Sequence, residues 1–452
     1  MFAISYKKGE KMIRKKGKNI AVVGLIAAFA LTNEAQALPM MTTQTGMDCT
    51  GCHTQIMPRL NKFGRKFAAS GMTMSKQVKD MKNDSETGMD LNPSMLIKSK
   101  YIRTWDKPDG KGNIKEDDTN DGDLSIVRMA TLYYGGRVTE NIGGTLNLGW
   151  REHEGASISG KVTYAQAIED GYWGLTAYST QSLGPFAGME FYNTGLYRPL
   201  RMFDTKIYSN ATQSTKVGGQ SATGLQAYYD KDNLVGEGDH FFVTLGMYTP
   251  TQDNTNADIQ MADNILPFAR IAYEYPIGDY NVILGGFAIV GGDYVSETDN
   301  IEVKRETYGV DLQVEGTIAD REATLTSTYV FKNKLEYTGL GAQLTDHVED
   351  VDNESFSIEG AISVTPDIVA KVAYMTFDDH YLYDGRGEGD DGENYLKNDV
   401  KDLDSAINIG LDYGFVVHGT PIKLAIEYAW MNPYLDRVEN YESFMATFTL
   451  PL

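Results

Sequence analysis

The sequence predicts an all-β chain, a 16-stranded antiparallel transmembrane β-barrel whose lumen is plugged by a small N-terminal segment, α-helical or irregular. Three observations predict it. Apolar and polar residues alternate with period two over most of the chain. Short turns and long connections take turns along it. The one uninterrupted apolar run, residues 20–31, is too short to cross a bilayer as a helix. Composition agrees: the 452 residues include 46 Gly and 28 Tyr but only 13 Pro, which suits many strands joined by tight turns. The formal net charge of −21 argues against a nucleic-acid partner, since phosphate binding needs a basic face. Two Cys cannot make a disulfide scaffold.

Residues 1–37 read as a cleaved secretory signal peptide. Lys7, Lys8, Lys11, Arg14, Lys15, Lys16 and Lys18 precede the apolar run, and Ala35-Gln36-Ala37 is a small-x-small cleavage site. The leader holds those seven basic residues against Glu10 and Glu34, so the exported chain is more acidic than the whole.

Residues 93–452 carry the alternation. Ile407, Ile409, Leu411, Tyr413 and Phe415 alternate with Asn408, Gly410, Asp412 and Gly414. Ile422, Leu424, Ile426, Tyr428 and Trp430 alternate with Lys423, Ala425, Glu427 and Ala429. A sandwich would alternate too, with its polar face toward water; the connections favour a barrel. Short turns are expected at 139–142, 169–172, 232–238, 275–280, 317–322, 365–367 and 418–420. Between them lie long connections, including 106–123, 181–221, 250–264, 333–353 and 378–404. Short periplasmic turns and long outer loops are what an outer-membrane barrel shows. An even strand number returns both ends to the periplasm, and closure leaves no unpaired backbone in lipid. Tyr133, Tyr134, Trp150, Tyr374 and Trp430 are candidate girdle aromatics. The terminal Leu452 departs from the aromatic that usually ends such barrels.

Three expected outer loops are acidic. Asp117, Asp118, Asp121 and Asp123 crowd one; Asp346, Glu349, Asp350, Asp352 and Glu354 a second; Asp384, Glu388, Asp390, Asp391, Glu393, Asp399, Asp402 and Asp404 a third. The favoured reading is hydrated loops, or divalent bridges to lipid headgroups; concentration of divalent cations at the mouth is the alternative.

The only cysteines form Cys49-Thr50-Gly51-Cys52-His53, a C-x-x-C-H run expected by chance on the order of once in 10,000 such chains. It is a strong signal for c-type haem attachment, in which each thiol adds to one vinyl group and the adjacent imidazole becomes the proximal iron ligand. A half zinc site would need further Cys, and a dithiol redox pair does not need the His. Residues 38–92 are thus expected to form a segment holding one covalent haem c on Cys49, Cys52 and His53. The distal ligand is open. Met40, Met41, Met47, Met57, Met72, Met74, Met81 and Met89 lie within reach in sequence, with Met57, Met72 and Met74 as candidates. His153, His240, His347, His380 and His418 read as solvated surface residues.

Residues 58–71 predict a short capped helix with Leu60, Phe63 and Phe67 on one face and Arg59, Lys62, Arg65 and Lys66 around the rest. In one reading Phe63 and Phe67 pack on the porphyrin and Arg65 pairs a propionate. In the other the helix is simply amphipathic, with a wet basic side.

A haem motif at the mature N-terminus followed by one barrel resembles the outer-membrane fused monohaem cytochrome–porins that oxidise ferrous iron outside the cell. The residues carrying the resemblance are Ala37, Pro39, Gln44, Thr45 and Gly46 before the motif. After Cys49, Cys52 and His53 come Pro58, Leu60, Asn61, Phe63, Gly64, Arg65 and Phe67. They span about thirty residues. Met41 stands where the family has Phe, and Thr42-Thr43 where it has Ala-Arg, which removes a basic residue before the haem. The resemblance implies an outer-membrane electron conduit: Fe(II) outside, a haem in the lumen on the periplasmic side, and a periplasmic c-type cytochrome as acceptor. Export of electrons to extracellular metals, or a plain porin with a structural haem plug, are the alternatives.

Overall fold

The computed structural model describes residues 40–452 apart from 48, 56–58, 75–88, 106–121, 153–154, 181–182, 190–209, 216, 218–220, 251–264, 297–300, 339–350, 378–385, 389–393, 397–402, 418–419 and 434–439. The leader, Met57, Met81, His153, His347, His380, His418 and most of the acidic loop residues therefore lie outside the described residues.

Among the described residues three short helices come first: α1 (Met40–Thr45), α2 (Cys49–Cys52) and α3 (Lys62–Ala69). The strands follow: β1 (Asp90–Trp105), β2 (Asp123–Arg137), β3 (Ile142–Arg151), β4 (Gly155–Ile168), β5 (Gly171–Thr180), β6 (Ala222–Asp232), β7 (His240–Pro250), β8 (Leu266–Ile277) and β9 (Tyr280–Ser296). Then come β10 (Ile301–Ile318), β11 (Arg321–Thr338), β12 (Val351–Thr365), β13 (Ile368–Phe377), β14 (Arg386–Glu388), β15 (Asn394–Leu396), β16 (Leu403–Val417), β17 (Thr420–Pro433) and β18 (Tyr441–Pro451). β14 and β15 pair only with each other; the other sixteen form one closed antiparallel barrel in which each strand pairs with its sequence neighbours. β1 starts at Asp90 rather than at the expected residue 93.

Closure joins β1 to β18 in a register from Leu96↔Pro451 to Trp105↔Glu442. Leu452 and Met95 exchange both backbone bonds at 2.7 Å, so the non-aromatic terminus still completes the seam. The backbone ladder leaves no edge, which is what a sheet needs in hydrocarbon.

The side chains are inverted relative to a water-soluble domain. On β16, Ile407 and Ile409 are each 46% exposed on the outer face while Asn408 between them is 0% exposed. On β17, Ile426 and Trp430 face out, and Glu427 is buried toward the axis. Leu146, Leu148, Trp150, Leu225, Leu245, Ile271 and Leu284 continue the apolar outer face. Thr163, Gln226, Arg270, Glu274, Asp311, Gln313 and Glu359 line the inner one. Apolar out and polar in is the transmembrane arrangement. Of the expected girdle, Tyr134, Trp150, Tyr374 and Trp430 face outward. Tyr133 does not: it occupies the alternate position between exposed Leu132 and Tyr134 and so belongs to the inner face.

Six of the seven short turns fall where the alternation placed them, at one end of the barrel; the seventh, at 418–419, lies outside the described residues, between paired Val417 and Thr420. At the other end the described parts of the 181–221 connection, 183–189 and 210–215, do something the sequence did not predict: they pack against the inner wall. A 3-10 turn at Gly184–Ala187 buries Phe186 edge-on against Phe268 and Phe287, with ring centroids 5.2 and 5.3 Å away. A second turn, α4 (Ala211–Ser214), donates the Ala211 N–H to Ser357 Oγ at 3.1 Å. Arg305, buried on β10, donates to the Thr215 carbonyl at 2.7 Å.

Candidate functional site

The N-terminal segment is built around Asn61. As N-cap of α3, its side chain accepts from the Gly64 N–H at 2.9 Å, satisfying one free amide of the first turn. Its amide nitrogen donates to the Thr50 and Gly51 carbonyls at 3.2 and 3.1 Å, and its own N–H donates to Cys52 O at 3.0 Å. One residue therefore ties α3 to α2. This is why the helix starts at Lys62 instead of near residue 58. The contact is too close for any side chain at Gly64: a Cβ there would lie 2.0 Å from the Cys52 carbonyl oxygen. The intervening loop is pinched by a bridge between His53 and Leu60 and by the Thr54 N–H on the Arg59 carbonyl at 2.9 Å.

α2 is a single helical turn, in which positions three apart share a face. It places positions 49 and 52 side by side, with His53 leaving directly at its C-terminal end. This donor set fits a group held by two thioethers and one imidazole. Cys52 and His53 are both half-buried.

Behind α3 lies the segment's apolar cluster. Phe67, Met72 and Met74 are buried together, with Met41 and Phe63 packed against them. Expected porphyrin-packing residues and two expected distal-ligand candidates thus share one cluster. Met72 and Met74 both adopt positive φ, 63° and 40°, a conformation unfavourable for their side chains. Ser70 holds the turn: its hydroxyl accepts from Met74 N–H at 2.9 Å, and its carbonyl accepts from Thr73 Oγ1 at 2.7 Å. Gln44 of α1, itself buried, donates to the Met72 carbonyl at 2.8 Å.

The segment sits on the inner wall at the short-turn end, and its basic residues meet wall carboxylates. Arg59 Nη2 lies 3.3 Å from Glu359 of β12 and donates to Thr326 of β11 at 3.2 Å. Arg65 Nη1 lies 2.7 Å from Glu315 of β10, and Nη2 lies 3.1 Å from Glu274 of β8. Lys66 pairs with Asp232. On the other side α1 leans on β1 and β2, and Gly71 rests on Gly143 of β3, where an added Cβ would stand 2.0 Å from the Gly71 carbonyl. Arg65 is therefore committed to two wall glutamates, not held ready for a propionate. Such a pairing has no local sequence signal, because Arg65 and Glu315 are 250 residues apart.

His240 also departs from expectation. It is buried on the inner wall, bonded through Nε2 to Asp230, with Nδ1 3.7 Å from Glu274. The turn before β7 is organised around one carboxylate. The Asp239 carboxylate accepts the N–H groups of Leu234, Val235 and Gly236 at 2.7–2.9 Å and the Tyr273 hydroxyl at 2.7 Å. Burial pushes this carboxyl up, but these four donors outweigh it and hold it below the usual carboxylate range.

No protein-family model matches this chain, and no curated protein matches it. Solved structures do. The chain resembles OprB of Pseudomonas putida (high pH structure) with 11% identity over 85% of this chain and all of that one, TM-score 0.50. An anion-selective porin from Comamonas acidovorans matches with 11% identity over 80% of this chain and 99% of that one, TM-score 0.46. The outer membrane channel DcaP of Acinetobacter baumannii matches with 14% identity over 81% and 99%, TM-score 0.45. At such identities the likeness is one of fold: a porin-like barrel.

Proposed function

We propose that this chain is an outer-membrane electron conduit. Its N-terminal segment carries one haem c on Cys49, Cys52 and His53, takes electrons from Fe(II) outside the cell, and passes them to a periplasmic c-type cytochrome. One observation carries the reading: a C-x-x-C-H helical turn is anchored by buried ion pairs within a lipid-facing barrel. The haem would supply reversible one-electron transfer, each Fe(II) losing one electron and ferric haem gaining it. The chain's own residues do the rest. Asn61 fixes the Cys turn against α3, Arg59 and Arg65 fix α3 against the wall, and the barrel gives passage through about 30 Å of insulating hydrocarbon. One-electron transfer between iron and haem requires no general acid or base.

The test is a pyridine haemochrome assay on the purified outer-membrane protein, with Fe(II) oxidation by intact cells. One haem per chain is expected, with oxidation lost in Cys52→Ala. Oxidation that persists in that variant refutes the conduit. The haem midpoint sets direction: a value far below the iron couple means export to outside metals instead.

A second reading, a plain porin, draws on the porin-like fold and on a charged wall at Lys371, Asp412 and Glu427 that has its own ion pairs. Solute flux through reconstituted protein, with no redox phenotype, is its signature.

A further inference from the structure

The lumen is divided by charge. On β6–β12 the inward carboxylates Asp230, Glu274, Asp311, Glu315 and Glu359 are all buried. Each lies beside a cation: His240 for Asp230, Arg65 for Glu274 and Glu315, Arg270 for Asp311 and Arg59 for Glu359. Asp232 and Glu322, at the short-turn ends of their strands, meet Lys66 and the Gln55 N–H. Most of this cover comes from the N-terminal segment.

The inner face of β18 and β1–β4 is the opposite case. Arg151 follows outward-facing Trp150, and Lys161 precedes outward-facing Val162, so both point inward. Lys98 shares that face, because Lys98 is the cross-strand partner of Met129, and Met129 that of Arg151. All three cations are half-buried rather than buried, as are Thr145, Asn147 and Ser159 around them. The accessible part of the inner wall is therefore cationic and hydroxyl- or amide-lined. The carboxylates of these five strands stand elsewhere. Glu442 is paired with outward-facing Trp430, Asp90 sits opposite Arg137 at the start of β1, and Asp123 is the first residue of β2.

The cations also form a line. Followed the other way, the pairing runs from Lys98 through Thr449 to Lys423, which also pairs with Asp412. Lys423 is near the short-turn end of β17, and Arg151 is the last residue of β3, at the end with the long connections. Lys423, Lys98 and Arg151 thus climb from one mouth of the barrel to the other. Successive members are two strands apart, about 10 Å. That matches the Debye length at about 0.1 M salt, so their fields join along the wall. Pores lined by Lys and Arg favour anions, and low-dielectric walls concentrate the effect.

We propose that the open part of the lumen conducts small anions along this line, and that the N-terminal segment confers the preference by covering the opposing carboxylates. The haem takes no part, so the proposal goes beyond the reading above and stands apart from it.

The experiment measures the reversal potential of the full chain in planar lipid bilayers under a gradient of potassium chloride. The wild-type chain should pass chloride in preference to potassium, and the preference should fade at about 1 M salt, where the Debye length is about 3 Å. A Lys98→Gln/Arg151→Gln/Lys161→Gln chain should lower the chloride-to-potassium permeability ratio several-fold. Lys98→Arg should keep it, and so should Lys332→Gln on the outer face. Arg65→Ala should move the ratio toward potassium by uncovering Glu274 and Glu315. A wild-type chain that prefers potassium or passes no current overturns the proposal, and so does a triple variant with the wild-type reversal potential. An Arg65→Ala chain with an unchanged ratio overturns the segment's share. Haem content of the same preparation tests the conduit reading separately.

Discussion

Two stretches of the inner wall solve the same problem differently. Along β8, β10 and β12 the wall carries the carboxylates Glu274, Glu315 and Glu359, and their positive partners Arg59 and Arg65 come from the N-terminal segment. Along β13, β16 and β17 the wall balances itself. Lys371 lies 3.0 Å from Asp412 and 3.6 Å from Glu427, and Lys423 also reaches Asp412. Both groups are buried, so in both a lone charge is costly. Only in the first does the barrel depend on another part of the chain to neutralise it. The segment is therefore a component of the wall's electrostatics.

The comparison can be broken most easily at Arg65. Arg65→Ala strands Glu274 and Glu315, and losing one partner of a buried pair costs about 3–5 kcal/mol. The N-terminal segment should then become sensitive to limited proteolysis, and its protection should return when Glu274→Gln and Glu315→Gln are added. Protection unchanged in the single variant would mean that the ion pairs do not hold the segment. Lys371→Met should have a smaller effect of another kind. Lys423 still serves Asp412, so the barrel's unfolding midpoint in urea should fall by the equivalent of about 1–3 kcal/mol. The segment should stay protected; if it is released, the two stretches are coupled. Lys66→Gln should do least, because the Lys66 side chain is 36% exposed and such pairs contribute about 0.2–1 kcal/mol. Proteolysis rates within twofold of wild type are expected.

How much of this was legible follows from the range of each interaction. The strands and the six described turns could be read because alternation and turn chemistry are local. So could the helix behind the Cys turn. The side of the wall that receives Arg65 could not, because Glu274 and Glu315 look like any inward polar residues of a barrel strand. His240 read as solvated because its position near a strand start gives no hint of Asp230 beside it on the neighbouring strand. The inward seating of Phe186 was invisible for a related reason: it is one apolar residue in a loop until Phe268 and Phe287 are brought to it.

Gly64 has a wider use. Its missing methyl group is occupied by the backbone of the Cys turn, so even alanine there would wedge the two helices apart. Steric exclusion of this kind leaves an imprint that drifting sequence cannot erase: any distant cousin that keeps this pair of helices face to face must keep a bare α-carbon three places after its capping asparagine. Genomes can be screened for that spacing behind C-x-x-C-H where overall likeness has faded.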